Sequence, residues 1–356
     1  MDILVLVLVL ALAAANGAND VPKGVATLAG AGEAKIKTAI AWGTVTTAVG
    51  CLVSLHFANK MTALFSKGIV SASPTNSFAA AVLLGTAAWI ALATWRGLPV
   101  STTHALTGSL LGAGALFASS AVQWSVLLVK VVQPLLLSVV IAWAISAALS
   151  AAGRGIARRR AQRVPQPLPD PDPVLVNAGA AEPQVHRAAA PAPAAGAEQA
   201  GAGRMSPVSI AHWATSGLTS FARGMNDAPK IVAIGSFALV SGMTTTHLLV
   251  AVTLAMAVGG LLVGRRVAER MANDVIKMTH VEGFTANLTT AALVGVGAFQ
   301  GLPMSTTQVS IGAISGTAGA DLSRIKKKTV RDFAVAWLVT PPFSAAVAAV
   351  AYLLLR

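Results

Sequence analysis

Apolar residues dominate both halves of the chain, and short polar breaks divide them into segments long enough to cross a membrane. In the first half these segments cover residues 2–30, 36–57, 78–117 and 124–150, and in the second half 208–240, 244–263, 284–318 and 332–354. A helix needs about 20 predominantly apolar residues to span the hydrocarbon core of a bilayer. The pattern therefore predicts an all-α integral membrane protein that crosses the membrane several times.

Composition supports the same class of protein and excludes others. Of the 356 residues, 55% are hydrophobic and 11% are charged, whereas soluble domains contain about 45–50% apolar and about 25% charged residues. The formal net charge is +13, but the basic runs at 154–163 and 324–331 flank apolar segments and contain no interleaved aromatic residues. We interpret these runs as cytoplasmic loops rather than as a nucleic-acid-binding surface. The single cysteine, Cys51, excludes an intrachain disulfide.

Residues 151–207 differ in composition from the rest of the chain, because they contain nine of the 17 prolines and seven arginines. Such a segment cannot bury enough apolar surface to fold by itself. We therefore predict a disordered cytoplasmic linker, which separates a first membrane region, 1–150, from a second, 208–356.

The two membrane regions contain the same motifs in the same order, which indicates an internal duplication. The residues Asn-Asp-Val-Pro-Lys at 19–23 recur as Asn-Asp-Ala-Pro-Lys at 226–230, which is 207 positions later. The residues Gly-Leu-Pro-Val-Ser-Thr-Thr at 97–103 recur as Gly-Leu-Pro-Met-Ser-Thr-Thr at 301–307, which is 204 positions later. Two motifs that agree so closely in their spacing are hard to obtain by chance.

Loop charges predict how the two repeats are oriented, because Lys and Arg concentrate in cytoplasmic loops. If the linker and the basic loops at 265–277 and 324–331 lie inside, each half makes an odd number of crossings, and the repeats are inverted relative to each other. Both chain termini are then extracellular, and the protein is a multi-pass protein of the plasma membrane. The third apolar segment of each half carries a proline at its centre, Pro99 or Pro303, which predicts a re-entrant hairpin.

Asp20 and Asp227 are the only carboxylates deep within apolar segments, where a charged side chain costs roughly 2.5–3.5 kcal/mol on insertion scales. This cost implies compensation by a cation or a proton. The Gly and Pro residues beside each aspartate are expected to interrupt the helix and to free backbone carbonyls, which suit Na⁺. We predict a coupling-ion site for Na⁺ or H⁺ formed by Asn19, Asp20, Asn226 and Asp227. The alternative is a structural ion pair with the lysine one helical turn further on, Lys23 or Lys230.

The Ser-Thr-Thr motifs, in contrast, favour the binding of an anion. A proline followed by three hydroxyl residues and an apolar segment predicts a helix N-terminus, where free N–H groups and the helix dipole attract an anion. The two copies offer neutral donors to a tetrahedral oxyanion: Ser101, Thr102, Thr103, Ser305, Thr306 and Thr307. One copy alone would be explained by helix capping, but a matching pair favours a ligand site.

Two arginines and one histidine lie beside these motifs. Arg96 precedes the first Ser-Thr-Thr motif and Arg223 precedes the second Asn-Asp motif. Each either adds fixed positive charge to the anion site or extends to the membrane interface. His104 corresponds to Gln308 in the other repeat, so we interpret it as structural, and the remaining histidines show no metal-ligand spacing.

These motifs resemble those of the inorganic phosphate transporter (PiT) family, in particular Gly17-Ala18-Asn19-Asp20 and the paired Pro-x-Ser-Thr-Thr motifs. The resemblance covers both halves and leaves out mainly the linker. It implies a secondary transporter with inverted repeats, usually dimeric, in which hairpins and broken helices form a transport domain for phosphate. It also implies that the Asn-Asp pairs serve the coupling-ion and substrate region and that the Ser-Thr-Thr motifs line the phosphate site.

The chain departs from the family pattern near both Asn-Asp pairs. The second copy has Met225 where an alanine is common in the family, and Lys23 occupies a position that is often asparagine. An ammonium group beside Asp20 would replace a bound Na⁺, which favours proton coupling or a changed stoichiometry.

The sequence thus predicts a symporter that imports inorganic phosphate by alternating access, driven by Na⁺ or H⁺, with no enzymatic activity and no cofactor besides the coupling ion. The expected partners are phosphate, the lipid bilayer and a second copy of the chain in a homodimer. The alternatives are a sulfate or other oxyanion permease of the same family, a passive anion channel, and an intramembrane hydrolase that uses Ser101 or Ser305 with His104. The hydrolase is disfavoured because the histidine is not duplicated and has no evident acid partner.

Overall fold

The computed structural model describes residues 2–161, 205–239, 242–274, 278–319 and 321–356, and within these ranges the chain is almost entirely helical. The helices are α1 Asp2–Gly30, α2 Ile36–Val53, α3 Asn59–Ala63, α4 Asn76–Trp95, α5 Thr102–Phe117, α6 Trp124–Val126, α7 Gln133–Ala161, α8 Pro207–Gly235, α9 Thr245–Val263, α10 Arg265–Asp274, α11 His280–Gln300, α12 Thr306–Thr317 and α13 Lys327–Leu355. A π-helical stretch, Leu127–Val132, joins α6 to α7. The prediction of an all-α protein is confirmed.

Six helical stretches of the described chain are long and apolar enough to cross a membrane: Asp2–Gly30, Ile36–His56, Asn76–Trp95, Trp124–Ile156, Thr245–Val263 and Lys327–Leu355. Helix α8 has the same 29-residue length as α1, which corresponds to about 43 Å. It is absent from this set because it is less apolar, and its buried polar face carries Arg223, Asp227 and Lys230.

Two segments differ from the sequence-based expectation. The predicted linker begins at residue 151, but α7 continues to Ala161, because Ala and Arg are favourable in helices and the first linker proline is Pro165. Residues 162–204 of the predicted linker lie outside the described residues. The basic segment expected to be a loop at 265–277 contains α10, whose Arg, Ala, Glu and Met residues also favour a helix.

The central break expected in each third apolar segment is present. The first hairpin consists of α4 and α5, joined by residues 96–101, and the second consists of α11 and α12, joined by residues 301–305. Each connection begins with a turn in which a glycine adopts a positive φ, 68° at Gly97 and 75° at Gly301, a conformation that costs glycine little. After each turn the chain runs without helix to a serine, Ser101 or Ser305, which caps the next helix.

Both Asn-Asp motifs lie inside continuous helices, which corrects the expectation that they interrupt α1 and α8. Pro22 lies within α1 and Pro229 within α8. A proline removes one helical hydrogen bond, and the packing of the buried flanking turns keeps the helix intact on both sides. The breaks near the polar centre are therefore those of the two hairpins.

Small residues allow each motif helix to approach a helix of the other half closely. A Cβ atom added to Gly17 of α1 would overlap the backbone carbonyl of Met256 in α9, and one added to Gly224 of α8 would overlap the carbonyl of Thr47 in α2. These two contacts are equivalent under the internal duplication. Close backbone approach through small residues is a common way to pack helices within membranes.

Replacement of Gly259 by Ala should destabilise the protein, because the added methyl group would overlap the carbonyl of Ala14 in α1. Overpacking of this kind costs about 1–3 kcal/mol. The control is Gly153→Ala in α7, where an added Cβ meets nothing within 4 Å and the helix gains about 0.5–1 kcal/mol. Thermal unfolding midpoints in detergent should fall for the first variant and not for the second, and equal midpoints would contradict the packing described.

Candidate functional site

The residues that the sequence analysis singled out are brought together, with one exception, in a buried polar cluster between the two halves. Each of its side chains is at most 5% exposed. Its members are Asn19, Asp20, Lys23, Ser101, Thr102, Thr103, Arg223, Asn226, Asp227, Lys230, Ser305, Thr306 and Thr307. We call this set the buried site.

The two motif asparagines bind the tips of the hairpins. The side-chain amide of Asn19 donates to the carbonyl of Leu98 at 2.9 Å, and its oxygen accepts from the amide of Val100 at 3.0 Å. In the same way Asn226 donates to the carbonyl of Met304 at 3.0 Å and accepts from its amide at 3.2 Å. Each asparagine thus provides hydrogen-bond partners for N–H and C=O groups of the extended backbone before α5 or α12, where no helical partner is available.

The two motif lysines connect the halves. Lys23 forms a salt bridge with Asp20 and donates from Nζ to the carbonyl of Val100 at 2.5 Å and to Thr307 Oγ1 at 2.6 Å. Lys230 pairs with Asp227 at 3.0 Å and donates to Thr103 Oγ1 at 2.7 Å. Each ammonium therefore joins the aspartate one turn earlier to the Ser-Thr-Thr motif of the other half.

The hydroxyl groups are engaged in two different ways. Ser101 and Ser305 accept from the backbone amides of His104 and Gln308, both at 3.3 Å, and so cap α5 and α12, as expected from the sequence. Thr102 donates to Asp20 Oδ2 at 3.2 Å. The N-termini of α5 and α12, with the positive ends of their dipoles, therefore border the same cluster as both aspartates.

Arg223 brings a third cation into the buried site. One of its terminal nitrogens donates to Thr47, and the other lies 4.0 Å from Asp227 Oδ2. Its Nε and Nη1 atoms, like the side-chain oxygen of Asn16, have no hydrogen-bond partner among the described residues. Buried N–H groups left without an acceptor are costly, and the oxygens of an anion are acceptors that such groups could use.

Arg96 is the exception, because it does not join the buried site. It is exposed, and its guanidinium stacks over the ring of Trp95 at 5.2 Å. It lines a separate cavity together with Arg270 and Arg331. Of the two alternatives that the sequence left open for Arg96, a place at the anion site is therefore not the one that this geometry shows.

Two further residues, Asn16 and Thr47, contact the buried site and were not identified in the sequence analysis. Asn16 donates to Asp20 Oδ2 at 3.1 Å and to Thr102 at 2.8 Å, and lies 3.5 Å from Asp227 Oδ2. Its position one helical turn before Asp20 was a usable signal. Thr47 on α2 had no such signal, because a single threonine in an apolar helix commonly bonds only to its own backbone.

Charge balance decides what the buried site can hold. Three buried cations, Lys23, Arg223 and Lys230, face two carboxylates, Asp20 and Asp227, which leaves one excess positive charge. Burial of a charge without compensation is expensive. The cluster is therefore better suited to an anion than to an additional unaccompanied cation.

Comparison with known proteins gives a consistent result. A model of the phosphate transporter family matches residues 16–348. A "probable low-affinity inorganic phosphate transporter" of Mycobacterium bovis is 27% identical over 365 residues, which cover 98% of this chain and 76% of that protein. A "putative phosphate permease" of Pyrococcus abyssi is 27% identical over 415 residues, covering 99% and 97%.

A solved structure described as "the sodium-dependent phosphate transporter" has the same fold. It aligns with a TM-score of 0.76 and covers 99% of this chain and 98% of its own, with 20% sequence identity. At this identity the likeness concerns the fold alone.

Asp227→Asn should destabilise the protein strongly, because it leaves the buried ammonium of Lys230 without its carboxylate. Removal of one partner of a buried ion pair costs about 3–5 kcal/mol. The double variant Asp227→Asn/Lys230→Met should recover a large part of this loss, since the ammonium that the single variant leaves unpaired is then absent. Thermal unfolding in detergent of Asp227→Asn, Lys230→Met and the double variant measures the coupling, and a double variant as unstable as the sum of the two single changes would contradict the pairing.

Proposed function

The chain belongs to the phosphate transporter family, and on that premise we propose that it is a secondary active transporter that imports inorganic phosphate by alternating access, coupled to a cation. The observation that carries this proposal is the buried site, in which two helix N-termini, two lysines and one arginine converge around a net positive charge. Helix N-termini and charged donors of this kind bind phosphate groups in many proteins.

The carboxylates support phosphate over sulfate. A protonated phosphate donates hydrogen bonds as well as accepting them, and Asp20 and Asp227 lie beside the donors as ready acceptors. Sulfate carries no proton at neutral pH, so it can donate no hydrogen bond to either carboxylate, and its oxygens would face theirs as acceptor against acceptor. A site built to accept a hydrogen bond discriminates strongly against a ligand that lacks the donor.

The contacts of the lysines support alternating access through the hairpin tips. Lys23 holds Val100 on the first tip and Thr307 on the second hairpin, while Lys230 holds Thr103. Exposure of the buried site to one side of the membrane requires that some of these contacts break. Movement of one repeat's elements against the other around a fixed central site is how transporters built from inverted repeats work.

We propose H⁺ rather than Na⁺ as the coupling ion. The ammonium of Lys23 is surrounded by a carboxylate, a backbone carbonyl and a hydroxyl oxygen. Backbone carbonyls and carboxylates are also the ligands with which transporters bind Na⁺. A lysine in that position makes a Na⁺ ion redundant and leaves the aspartates as proton acceptors.

The remaining parts of the proposal concern assembly and orientation. We infer a homodimer in the plasma membrane, with both termini outside and the linker inside, and with the two repeats inverted. The basic segments around 154–163, 265–277 and 324–331 support this orientation. An enzymatic role has no support in the family, whose similar members are named as transporters and permeases.

Purified protein in liposomes should accumulate radiolabelled phosphate against its concentration gradient, with sulfate competing poorly. Asp20→Asn and Asp227→Asn should abolish this uptake, since each removes the proton acceptor and the partner of a lysine. Arg265→Gln is a matched charge change outside the buried site, on an arginine that is 68% exposed, and should keep wild-type uptake. Downhill flux without accumulation would indicate a channel, and wild-type rates in either aspartate variant would exclude the proposed ion site.

Replacement of Na⁺ by choline should leave uptake unchanged, while an inward proton gradient should accelerate it. Lys23→Asn should make uptake depend on Na⁺, because Asp20 then needs another cation. Initial uptake rates measured with and without Na⁺ at fixed pH test the wild type and the Lys23→Asn variant. Steep Na⁺ dependence of the wild type, without an effect of the proton gradient, would contradict proton coupling.

A further inference from the structure

A cavity of about 630 Å³ lies where the end of α4 meets α10 and the start of α13. Its charged residues are Arg96, Arg270, Arg331 and Asp332, and the rest of its wall is apolar, including Trp89 and Val335. It is distinct from the buried site, because none of the residues that make up that site lines it.

The arginines of this cavity are poorly neutralised. Among the residues that the structure describes, Asp332 is the only acidic one in the lining, and it is shared by Arg270 at 3.3 Å and Arg331 at 3.7 Å. Arg96 forms no ion pair with any residue that the structure describes. Three guanidinium groups with one carboxylate leave two excess positive charges in one cavity.

The cavity adjoins the tip of the first hairpin. Leu98 lines it, and the carbonyl of the same residue accepts from Asn19 of the buried site. Helix α10 contacts this tip from the cavity side, because Arg266 donates to the carbonyl of Trp95 at 3.1 Å and Arg270 to that of Arg96 at 3.5 Å. A few residues of the tip therefore separate the arginines from the buried site.

We propose that Arg96, Arg270 and Arg331 form a second binding site for a phosphate group. Guanidinium groups present planar pairs of donors that match phosphate oxygens. Two sources of this group fit the chemistry. Free phosphate would reach the site on its way past the first hairpin, whereas an anionic lipid would place its headgroup on the arginines and its acyl chains against the apolar wall.

The relation of this site to transport rests on the proposed function, but its occupancy can be tested without transport. Val335 lines the cavity and is 52% exposed, while the only native cysteine, Cys51, is fully buried. A Val335→Cys variant in detergent can therefore be labelled selectively with an anionic methanethiosulfonate reagent. Saturating inorganic phosphate, at roughly ten times the dissociation constant, should slow this labelling about tenfold.

Matched variants identify the side chains that are responsible for this protection. Protection of the Val335→Cys variant should be lost when Arg331→Gln is added and kept when Arg265→Gln is added, since Arg265 pairs with Glu269 outside the cavity. A Ser119→Cys variant, exposed in the loop after α5, should show no protection. Loss of transport in liposomes with intact protection would refute the transport proposal and leave the second site standing.

Parallel measurements distinguish free phosphate from a lipid headgroup as the source of the phosphate group. Protection by inorganic phosphate identifies a free-phosphate site, whereas protection by short-chain phosphatidylglycerol, but not by phosphatidylcholine or phosphate, identifies a lipid headgroup site. The proposal is overturned if neither ligand protects, if chloride at the same ionic strength protects equally, or if Val335→Cys does not react with the reagent.

Discussion

The pairing of buried lysines with buried aspartates is the constraint on which the rest of this structure depends. Neither charge could remain alone between membrane helices, so each aspartate has its lysine one turn away on the same helix. Because a lysine side chain is long, its ammonium also reaches the Ser-Thr-Thr motif of the opposite half. Neutralisation of charge within each helix and attachment of one half to the other are therefore performed by the same two side chains.

This arrangement suggests how a proton and a phosphate could both act on the pairing between a lysine and its aspartate. In the structure Asp20 holds Lys23, and Asp227 is held by both Lys230 and Arg223. Under the proposed coupling, protonation of an aspartate weakens its attraction for the lysine and leaves the ammonium available to phosphate. Binding of phosphate to that ammonium in turn favours the protonated aspartate, because such coupling is reciprocal. Neither ligand needs to contact the other.

Local rules predicted much of this protein from its sequence. Apolar length located most helices, proline and hydroxyl residues located the hairpin breaks and their caps, and the spacing of Asp20 and Lys23 made their pairing visible. The contact of Lys23 with Thr307 was not predictable, because it spans 284 positions and depends on how the halves pack. The continuity of α1 through Pro22 was not predicted either, because it also depends on tertiary packing. That packing outweighs the local cost of one lost hydrogen bond. The location of Arg96 outside the buried site likewise follows from where the hairpin ends.

The internal duplication makes the differences between the halves informative. The asparagine contacts with the tips and the lysine contacts with the opposite Ser-Thr-Thr motif recur in both halves. The buried site still differs between them, because among the described contacts of the two lysines only Lys23 binds a tip carbonyl, and only the second half contributes an arginine. The tips do differ: the first lies against α10 and an arginine-lined cavity, whereas Gly301 of the second packs against Lys60, and Arg96 corresponds to Gln300. Under the proposed inverted orientation the two tips face opposite sides of the membrane, so their residues would change the rates of binding and release on each side. They would not set the direction of net transport, which the gradients determine. Direction would then come from the coupling ion, and the asymmetry of the tips would govern how fast each side exchanges phosphate.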